Sequence, residues 1–260
     1  MLSISPSQLS FFEEKGYLVV ENILNKEEIA YYRDIYEKFL TNQIDVQKYR
    51  SDLGSHAEND LFTLKQERIT QIMLASRLFP ELLDQPLHKK ALSIAKQLLG
   101  EDMALDFDML ISKAPHSATA TPWHQDRAYW ITMPDTRSAS CWVALDDATK
   151  DNGCMWYVEG SHKLPVRGHR PAGKGGGALE CDASEEEGIA VEIKAGCCIW
   201  HHGGTLHYSR GNTTNNMRRA FITNYRPEAM IAYEREQGFD HSGERNVRDS
   251  KAKNQQDSLG

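Results

Sequence analysis

The 260-residue sequence has little that would suggest a disulfide-bonded or membrane-bound protein. Its five cysteines are an odd number, and none has the spacing of a metal or redox motif, so we expect reduced thiols. No apolar run approaches the roughly 20 residues that span a bilayer. The first residues have neither the basic start nor the apolar segment of a signal peptide. These features predict a cytoplasmic protein with no membrane partner.

The chain also lacks an excess of positive charge. Lys and Arg number 30 against 37 Asp and Glu, which gives a formal net charge of −7, with both signs mixed throughout. A nucleic-acid surface would need a basic face, so we expect a small-molecule substrate and no nucleic-acid partner. The length fits one large domain, residues 1–260, better than two, and the composition leaves the oligomeric state open.

The first hundred residues carry mainly helical signals. Residues 5–8 combine an N-cap serine, a first-turn proline and a capping glutamine. Residues 17–20 are β-prone, and a second capping box at Asn25 begins an amphipathic helix. Residues 61–99 again have a helical pattern. We therefore predict that residues 1–102 form a mainly helical segment that braces the rest of the domain.

From residue 103 onward, short alternating segments separated by Gly, Pro, Asn and Asp predict antiparallel strands. The predicted strands are Ala104 to Ser112, Ser140 to Leu145, Met155 to Val158, Ala190 to Ile193, Cys197 to Trp200 and Ala220 to Arg226. Their number suits a double-stranded β-helix, the two-sheet jelly roll of cupin type. We predict a mostly β fold with flanking α-helices, in which residues 103–227 form the jelly-roll core.

Two segments have compositions unsuited to this core. Residues 171–188 contain three consecutive glycines and three consecutive glutamates, which predicts a mobile loop that could act as a lid. Residues 240–260 are almost wholly polar. We expect the end of this tail to lack fixed structure unless a partner orders it.

His124 and Asp126 are separated by one residue. In an extended strand, side chains at i and i+2 lie on one face, so both can point inward while the residue between them points away. An imidazole and a carboxylate, completed by a distant histidine, bind Fe(II) on one triangular face and leave other positions open. We choose His207 as the third ligand, with His201 and His202 as competitors. The pattern predicts a mononuclear non-heme iron site.

Arg218 lies eleven residues after His207, enough for a turn and a return strand. A guanidinium is the natural partner for the far carboxylate of a dicarboxylic acid. If 2-oxoglutarate bound iron through its keto-acid end, it would need such an anchor. Arg219 is the alternative to Arg218.

Several longer motifs surround these residues. They are Trp123-His124-Gln125-Asp126, the segment from Trp142 to Ala148, the segment from Asp151 to Trp156, Gly160-Ser161-His162, and His207-x-Ser209-x-x-Asn212 leading to Arg218. With these motifs and the opening Phe11 to Tyr17, the sequence resembles the phytanoyl-CoA dioxygenase family of Fe(II)- and 2-oxoglutarate-dependent oxygenases over residues 5–227. The resemblance is far more specific than the His-x-Asp motif alone.

The resemblance implies roles for individual residues. His124, Asp126 and His207 would hold the iron and so form the catalytic set. Arg218 would pair with the C5 carboxylate of 2-oxoglutarate, and Ser209 would add a hydrogen bond.

Trp130 and Lys113 fall where relatives contact the cosubstrate, although Lys113 could equally be an exposed charge at a strand end. Family halogenases replace the carboxylate ligand with a small residue, whereas Asp126 is retained here. Hydroxylation or oxidative cleavage is therefore favoured over chlorination.

The implied reaction consumes O2 and 2-oxoglutarate, releases succinate and CO2, and hydroxylates a C–H bond of a small metabolite, with specialised metabolism as one setting. Oxidative N- or O-dealkylation by the same chemistry is an alternative. A non-catalytic cupin-like protein that binds a metal and a carboxylate is another. A zinc hydrolase is less favoured, because the sequence has no His-Glu-x-x-His motif.

Residues that flank the predicted ligands are possible substrate contacts. They are Arg127, Tyr129, Trp142, His162, His202, Tyr225 and Arg226. Core packing would also explain Trp142, and ordinary hydrogen bonds or salt bridges would explain the others. Arg127 and Arg226 would suit a substrate with a carboxylate or phosphate.

Other polar residues are expected to have no part in the site. Asp151-Asn152-Gly153 is typical of a hairpin turn. We expect three of the histidines to be exposed and incidental, namely His56, His88 and His241.

Overall fold

A computed structural model describes residues 2–54, 67–172 and 178–242. The helices are α1 (Pro6–Lys15), α2 (Lys26–Leu40), α3 (Ala75–Leu78), α4 (Pro86–Leu99) and α5 (Glu228–Glu236). The strands are β1 (Tyr17–Val20), β2 (Arg50–Asp52), β3 (Ile69–Met73), β4 (Met103–Lys113), β5 (Thr121–His124), β6 (Ala139–Ala144), β7 (Met155–Tyr157), β8 (Arg170–Pro171), β9 (Leu179–Glu180), β10 (Ile189–Val191), β11 (Cys198–His202), β12 (His207–Ser209) and β13 (Arg218–Pro227).

Two antiparallel sheets pack face to face. The larger has seven strands in the order β1-β11-β6-β13-β4-β3-β2, and the smaller has four in the order β10-β7-β12-β5. Strands β8 and β9 form a separate two-stranded ribbon. From β4 to β7, and again from β10 to β13, successive strands alternate between the two main sheets, as in a jelly roll.

The larger sheet is buried on both faces. On β13 and β6, the paired residues Phe221 and Val143 face the helices, and the next pair, Ile222 and Trp142, faces the smaller sheet. This alternation follows from the two-residue period of a strand. It separates a helix-side core, which includes Tyr32 of α2, from the interior between the sheets.

The N-terminal segment begins as predicted. Ser5 and Asn25 each form a complete capping box, and Gly16 ends α1 with a φ of 82°, a conformation that favours glycine. However, residues 1–102 are less helical than expected, since β1, β2 and β3 all belong to the larger sheet.

The helix predicted over residues 61–99 is wrong where β3 lies. Ile69 and Ile72 are both buried, one in the interior between the sheets and the other in the helix-side core. A spacing of three residues therefore reflects burial on two faces of a strand and not on one face of a helix. Residues 61–66 of this prediction lie outside the described residues, and α4 occupies its last part.

The six predicted strands correspond to β4, β6, β7, β10, β11 and β13, with ends that differ by a few residues. Of the predicted mobile loop, residues 173–177 lie outside the described part, but Leu179 and Cys181 are buried against the domain. Residues 243–260 of the predicted tail also lie outside it.

One end of β13 is fixed by a buried network of charges. Arg226 forms ion pairs with Asp106 and Glu234, and Arg235 pairs with the same two carboxylates. His241 Nε2 is 3.0 Å from Asp106 Oδ2 and 3.2 Å from Glu234 Oε2. Two guanidinium groups already occupy these carboxylates, so the cluster is suited to holding α5 on the sheet and not to binding a metal.

Two histidines expected to be exposed are therefore not incidental. His241 belongs to this network. His88 is buried in α4, where its Nε2 lies 2.9 Å from Asp108 Oδ2. His56 lies outside the described residues.

Among the described residues, no helix is both long and apolar enough to cross a membrane.

The charge network predicts acid-sensitive stability. Burial alone would raise the pKa of Asp106, but His241, Arg226 and Arg235 outweigh it and lower that pKa. A carboxyl group with a lowered folded-state pKa contributes stability above its unfolded pKa of about 4, and this contribution is lost as the pH falls. We expect Asp106→Asn to lower the free energy of unfolding at pH 7 by about 3–5 kcal/mol, because it leaves buried cations underpaired.

Urea unfolding between pH 3 and pH 7 measures this effect. Asp84→Asn is the control, because the Asp84 side chain is 88% exposed and lies 3.5 Å from its only ion-pair partner among the described residues, Lys89. Its effect should stay within about 0.5 kcal/mol. Equal losses in the two variants would contradict a stabilising role for the network.

Candidate metal centre and adjoining cavity

His124, Asp126 and His207 meet where β5 and β12 lie side by side. His207 is directly opposite His124 in the ladder, and their ring centres are 4.1 Å apart. Asp126 Oδ1 lies 3.6 Å from His207 Nε2 and 3.9 Å from His124 Nε2. One ligand atom from each residue lies within 4.8 Å of the others, which is close enough for all three to reach one ion.

The backbone around Asp126 differs slightly from the expected strand. β5 ends at His124, and Asp126 begins a 3-10 turn that extends to Tyr129. Gln125 between them is extended, with φ −124° and ψ 130°, so the two ligands still share a face. The Gln125 side chain points away and donates from Nε2 to the carbonyl oxygen of Gly204 at 2.7 Å.

Both histidines are held in one tautomer by the backbone. His124 Nδ1 lies 2.7 Å from the carbonyl oxygen of Pro122, and His207 Nδ1 lies 2.8 Å from that of Thr205. A carbonyl oxygen only accepts, so each Nδ1 donates its proton and each Nε2 directs a lone pair at the cluster. Burial lowers the pKa of both rings, which keeps them in the neutral form that binds a metal.

A chain of hydrogen bonds orients the carboxylate of Asp126. Its Oδ2 accepts from the Ser140 hydroxyl at 3.0 Å and lies 3.2 Å from His201 Nε2. Asn224 Nδ2 donates to Ser140 Oγ at 2.9 Å, and the Tyr157 hydroxyl lies 3.3 Å from His201 Nδ1. His201 directs its Nε2 at Asp126, so it supports this carboxylate and is not itself the third residue of the cluster.

The charge of Asp126 is maintained despite its enclosure. Burial alone would raise the pKa of this carboxyl group, but interactions with His207, His201 and His124 outweigh burial and lower it. The cluster thus offers one ionised carboxylate and two neutral imidazoles. This donor set suits Fe(II) bound on one face.

Arg218 and Lys113 face each other on β13 and β4, in the interior between the sheets. Arg218 is 1% exposed, and its Nε and Nη1 have no hydrogen-bond partner among the described residues. Its guanidinium carbon lies 5.1 Å from the centre of the Trp142 ring. Lys113 Nζ donates to the carbonyl oxygens of Thr119 and Ser209 at 3.1 and 3.3 Å.

These two cations are buried without a salt bridge from the described part of the chain. Burial lowers the pKa of Arg218 to about 10, and burial together with Arg218 lowers that of Lys113. Lys113 is therefore not the exposed strand-end charge considered as its alternative. Unpaired buried donors beside a second cation fit an incoming carboxylate.

The alternative to Arg218 faces elsewhere. Arg219 donates to Asp146 from Nε at 2.9 Å and to Glu37 from Nη1 at 2.9 Å, so its charge is already paired. The turn at Asp151-Asn152-Gly153 has a structural role, as expected. A Cβ atom on Gly153 would lie 2.5 Å from the carbonyl oxygen of Arg210 and 3.0 Å from Lys113 Cδ.

A cavity of about 520 Å³ begins at the residue after Asp126. Arg127 and Trp130 line it, while Tyr129 places its ring edge-on to His124 with centres 5.8 Å apart. Trp130, which is predicted to contact the cosubstrate, forms part of the cavity wall, 4.9 Å from the guanidinium carbon of Arg226. The cavity therefore adjoins the metal cluster on the side of the 3-10 turn.

Other predicted substrate contacts lie in different surroundings. His162 and His202 have ring centres 5.2 Å apart, and His162 Nε2 donates to the carbonyl oxygen of Glu13 at 3.1 Å. Burial lowers the pKa of His202 to about 3, with smaller contributions from neighbouring charges. Trp142 is buried in the interior between the sheets, where it packs against Arg218.

Two of the predicted substrate contacts need correction. Tyr225 lies in the helix-side core, with its ring centre 5.7 Å from that of Trp200, because it lies four residues after helix-facing Phe221 on the same strand. Arg226 reaches the cavity, but Asp106 and Glu234 already neutralise it. Its charge is thus not available to a substrate anion.

The sequence interpretation missed the residues that orient the carboxylate. Ser140 and Asn224 are polar residues that lie opposite each other on β6 and β13, and both are buried. A buried polar residue needs a partner, so their positions were a usable signal. His201 was considered only as a competing ligand.

Comparisons with known proteins identify the family of this chain. The family model for phytanoyl-CoA dioxygenase (PhyH) matches residues 12–220. A protein from Arabidopsis thaliana named phytanoyl-CoA dioxygenase is 29% identical, with 84% of this chain and 87% of that protein covered. The crystal structure of EvdO2 from Micromonospora carbonacea var. aurantiaca, complexed with 2-oxoglutarate, is 25% identical with a TM-score of 0.68, covering 86% of this chain and 91% of that chain.

EctD from S. alaskensis, solved with 2-oxoglutarate and 5-hydroxyectoine, has the same fold. It has a TM-score of 0.67 at 22% identity, and the match covers 87% of this chain and 77% of that chain. The predicted jelly-roll fold, dioxygenase class and cofactors, Fe(II), 2-oxoglutarate and O2, are confirmed. The chain belongs to the phytanoyl-CoA dioxygenase family.

Proposed function

We propose that this protein hydroxylates a C–H bond of a small metabolite with O2 and 2-oxoglutarate, releasing succinate and CO2. His124, Asp126 and His207 hold the iron in this proposal, and Arg218 holds the cosubstrate. The proposal rests on one observation: the same interior holds a three-ligand cluster and a buried arginine with unpaired donors. Both histidines of the cluster direct Nε2 toward its centre.

The residues present fit the cofactors of the family. Bound Fe(II) supplies the redox chemistry that activates O2 at the expense of 2-oxoglutarate. His124, Asp126 and His207 would hold the ion through two neutral imidazoles and one carboxylate, a donor set that suits Fe(II). The Ser140 and His201 hydrogen bonds hold Oδ2 of Asp126, which keeps its Oδ1 directed at the histidines.

Arg218 and Lys113 act on the cosubstrate in this proposal. The Nε and Nη1 of Arg218 are unpaired donors, and the guanidinium group suits a carboxylate. Lys113 adds a second positive charge, and Ser209 follows two residues after His207 on the same strand. The C5 carboxylate of 2-oxoglutarate would compensate the cost of burying these cations.

Retention of Asp126 favours hydroxylation over halogenation, because its carboxylate fills the position that a halide would need. Hydroxylation next to a nitrogen or oxygen would lead to dealkylation by the same chemistry, with an aldehyde as the second product. Analysis of the products for an aldehyde distinguishes these outcomes once a substrate is known.

Substitution of two adjacent arginines should affect 2-oxoglutarate binding very differently. We expect Arg218→Ala to weaken 2-oxoglutarate binding by roughly 30-fold or more, because a buried charge pair is lost. Arg219→Ala is the matched control, since Arg219 is paired with Asp146 and Glu37. The measurement is an anaerobic titration of metal-stripped protein with Fe(II) and 2-oxoglutarate, followed by the visible charge-transfer band of the chelate.

His207→Ala should abolish the same band, because the ion loses one of three protein ligands. A folded, iron-loaded wild-type protein that shows no band would overturn the proposed function. A metal- and carboxylate-binding protein without catalysis would then be favoured. Equal losses of 2-oxoglutarate affinity in Arg218→Ala and Arg219→Ala would contradict only the role of Arg218 in binding the cosubstrate.

The network behind Asp126 predicts a positioning role for His201. We expect His201→Gln to lower Fe(II) affinity by about 10- to 100-fold, because the carboxylate loses an orienting partner. Competition with a chromophoric chelator measures the affinity, and the shape of the charge-transfer band reports the geometry. His116→Asn is the control, because His116 is exposed with a φ of 54°, a conformation that asparagine adopts readily. Unchanged affinity and band shape in His201→Gln would rule out this role.

A further inference from the structure

Four arginines line the cavity beside Asp126, and three of them are already neutralised. Arg137 pairs with Asp102 and Asp135, Arg167 pairs with Glu187, and Arg226 pairs with Asp106 and Glu234. Arg127 has no ion pair within the described part of the chain. No carboxylate from the described residues lines the cavity, so the positive charge of Arg127 is available to a bound ligand.

Arg127 is held firmly at this position. Its backbone N–H donates to the carbonyl oxygen of Gly203 at 2.9 Å, and its carbonyl oxygen accepts from Trp130 N–H at 3.4 Å. The side chain is partly buried, and no carboxylate from the described residues lies beside it in the cavity wall. Partial desolvation of an unpaired guanidinium is unfavourable, and a bound anion relieves it.

The rest of the cavity suits an apolar body. Trp130 and Met133 are buried in its wall, and Val166 and Leu179 also line it. Arg226 lies 4.9 Å from the centre of the Trp130 ring, which helps to fix the orientation of the indole. A volume of about 520 Å³ is ample for a small metabolite.

We infer that the substrate is an amphiphilic anion whose carboxylate or phosphate pairs with Arg127 while its apolar body packs against Trp130 and Met133. This inference rests on the proposed function and names its substrate class. Arg218 and Lys113 lie between the sheets, so the cosubstrate and the substrate anion have separate partners. The reaction converts R–H, O2 and 2-oxoglutarate to R–OH, succinate and CO2, with the anionic group unchanged.

Three probes with one aromatic body test this inference. They are 1-naphthylacetate, its neutral amide 1-naphthylacetamide, and 1-naphthyl phosphate. Calorimetric titrations use the anaerobic complex with Fe(II) and 2-oxoglutarate, in which Arg218 is occupied and no turnover takes place. We expect at least one anion to bind roughly 10-fold or more tightly than the amide, because a charge-assisted contact is gained. The tighter of the two anions identifies carboxylate or phosphate as the preferred group.

Arg127→Gln should abolish this preference, and Arg127→Lys should retain part of it. Arg170→Gln is the control for the loss of one positive charge, because Arg170 is exposed and already paired with Glu180 and Asp182. The inference is overturned if neither anion binds, if the amide binds as well as the anions, or if the preference survives in Arg127→Gln.

Parallel titrations of metal-free protein separate this inference from the proposed function. An anion preference that depends on Arg127 in metal-free protein supports the cavity assignment even if the Fe(II) and 2-oxoglutarate band never forms. A normal band in Arg127→Gln, with the anion preference lost, shows that the variant is folded and that Arg127 acts on the substrate side only.

Discussion

The antiparallel pairing of β12 with β5 is the constraint on which the site depends. It places His207 opposite His124, although the two residues are far apart in the sequence. β12 also pairs with β7, which places Tyr157 beside His207 and within reach of His201. A shift of one residue in either ladder would turn a ligand toward the opposite face. The short strands of the smaller sheet thus define the metal cluster, while the larger sheet supplies the residues that support it.

Buried charge is used in two contrasting ways along β13. Near its end, the charge of Arg226 is balanced by Asp106 and Glu234, which fixes α5 against the sheet. Near its start, Arg218 is equally buried but keeps unpaired donors beside Lys113. The charge of Arg226 is balanced within the chain, whereas that of Arg218 is balanced only when an anion binds. The same residue type therefore stabilises the fold at one end and prepares a ligand site at the other.

Much of the fold was predictable because its signals are local. Capping boxes and the long alternating strands depend on neighbouring residues, and they were found at the expected places. β5 and β12 have four and three residues, too few for a periodic pattern, although they carry the site. In β3, the burial of Ile69 on one face and Ile72 on the other imitates a helical spacing. Tyr225 was misplaced although its position follows the alternation of β13 from helix-facing Phe221, because it was assigned from its nearness to predicted site residues alone.

Arginines around the cavity show why residue type alone does not identify a substrate contact. Arg127 and Arg226 looked equivalent in the sequence, since each flanks predicted site residues. Their difference lies in partners that come from distant segments: Asp106 and Glu234 converge on Arg226, and no described carboxylate converges on Arg127. A guanidinium whose charge is satisfied can shape a wall, as Arg226 does beside Trp130. Only a guanidinium without an ion-pair partner can select an anion. Substrate preference therefore depends on which arginines the fold pairs with carboxylates.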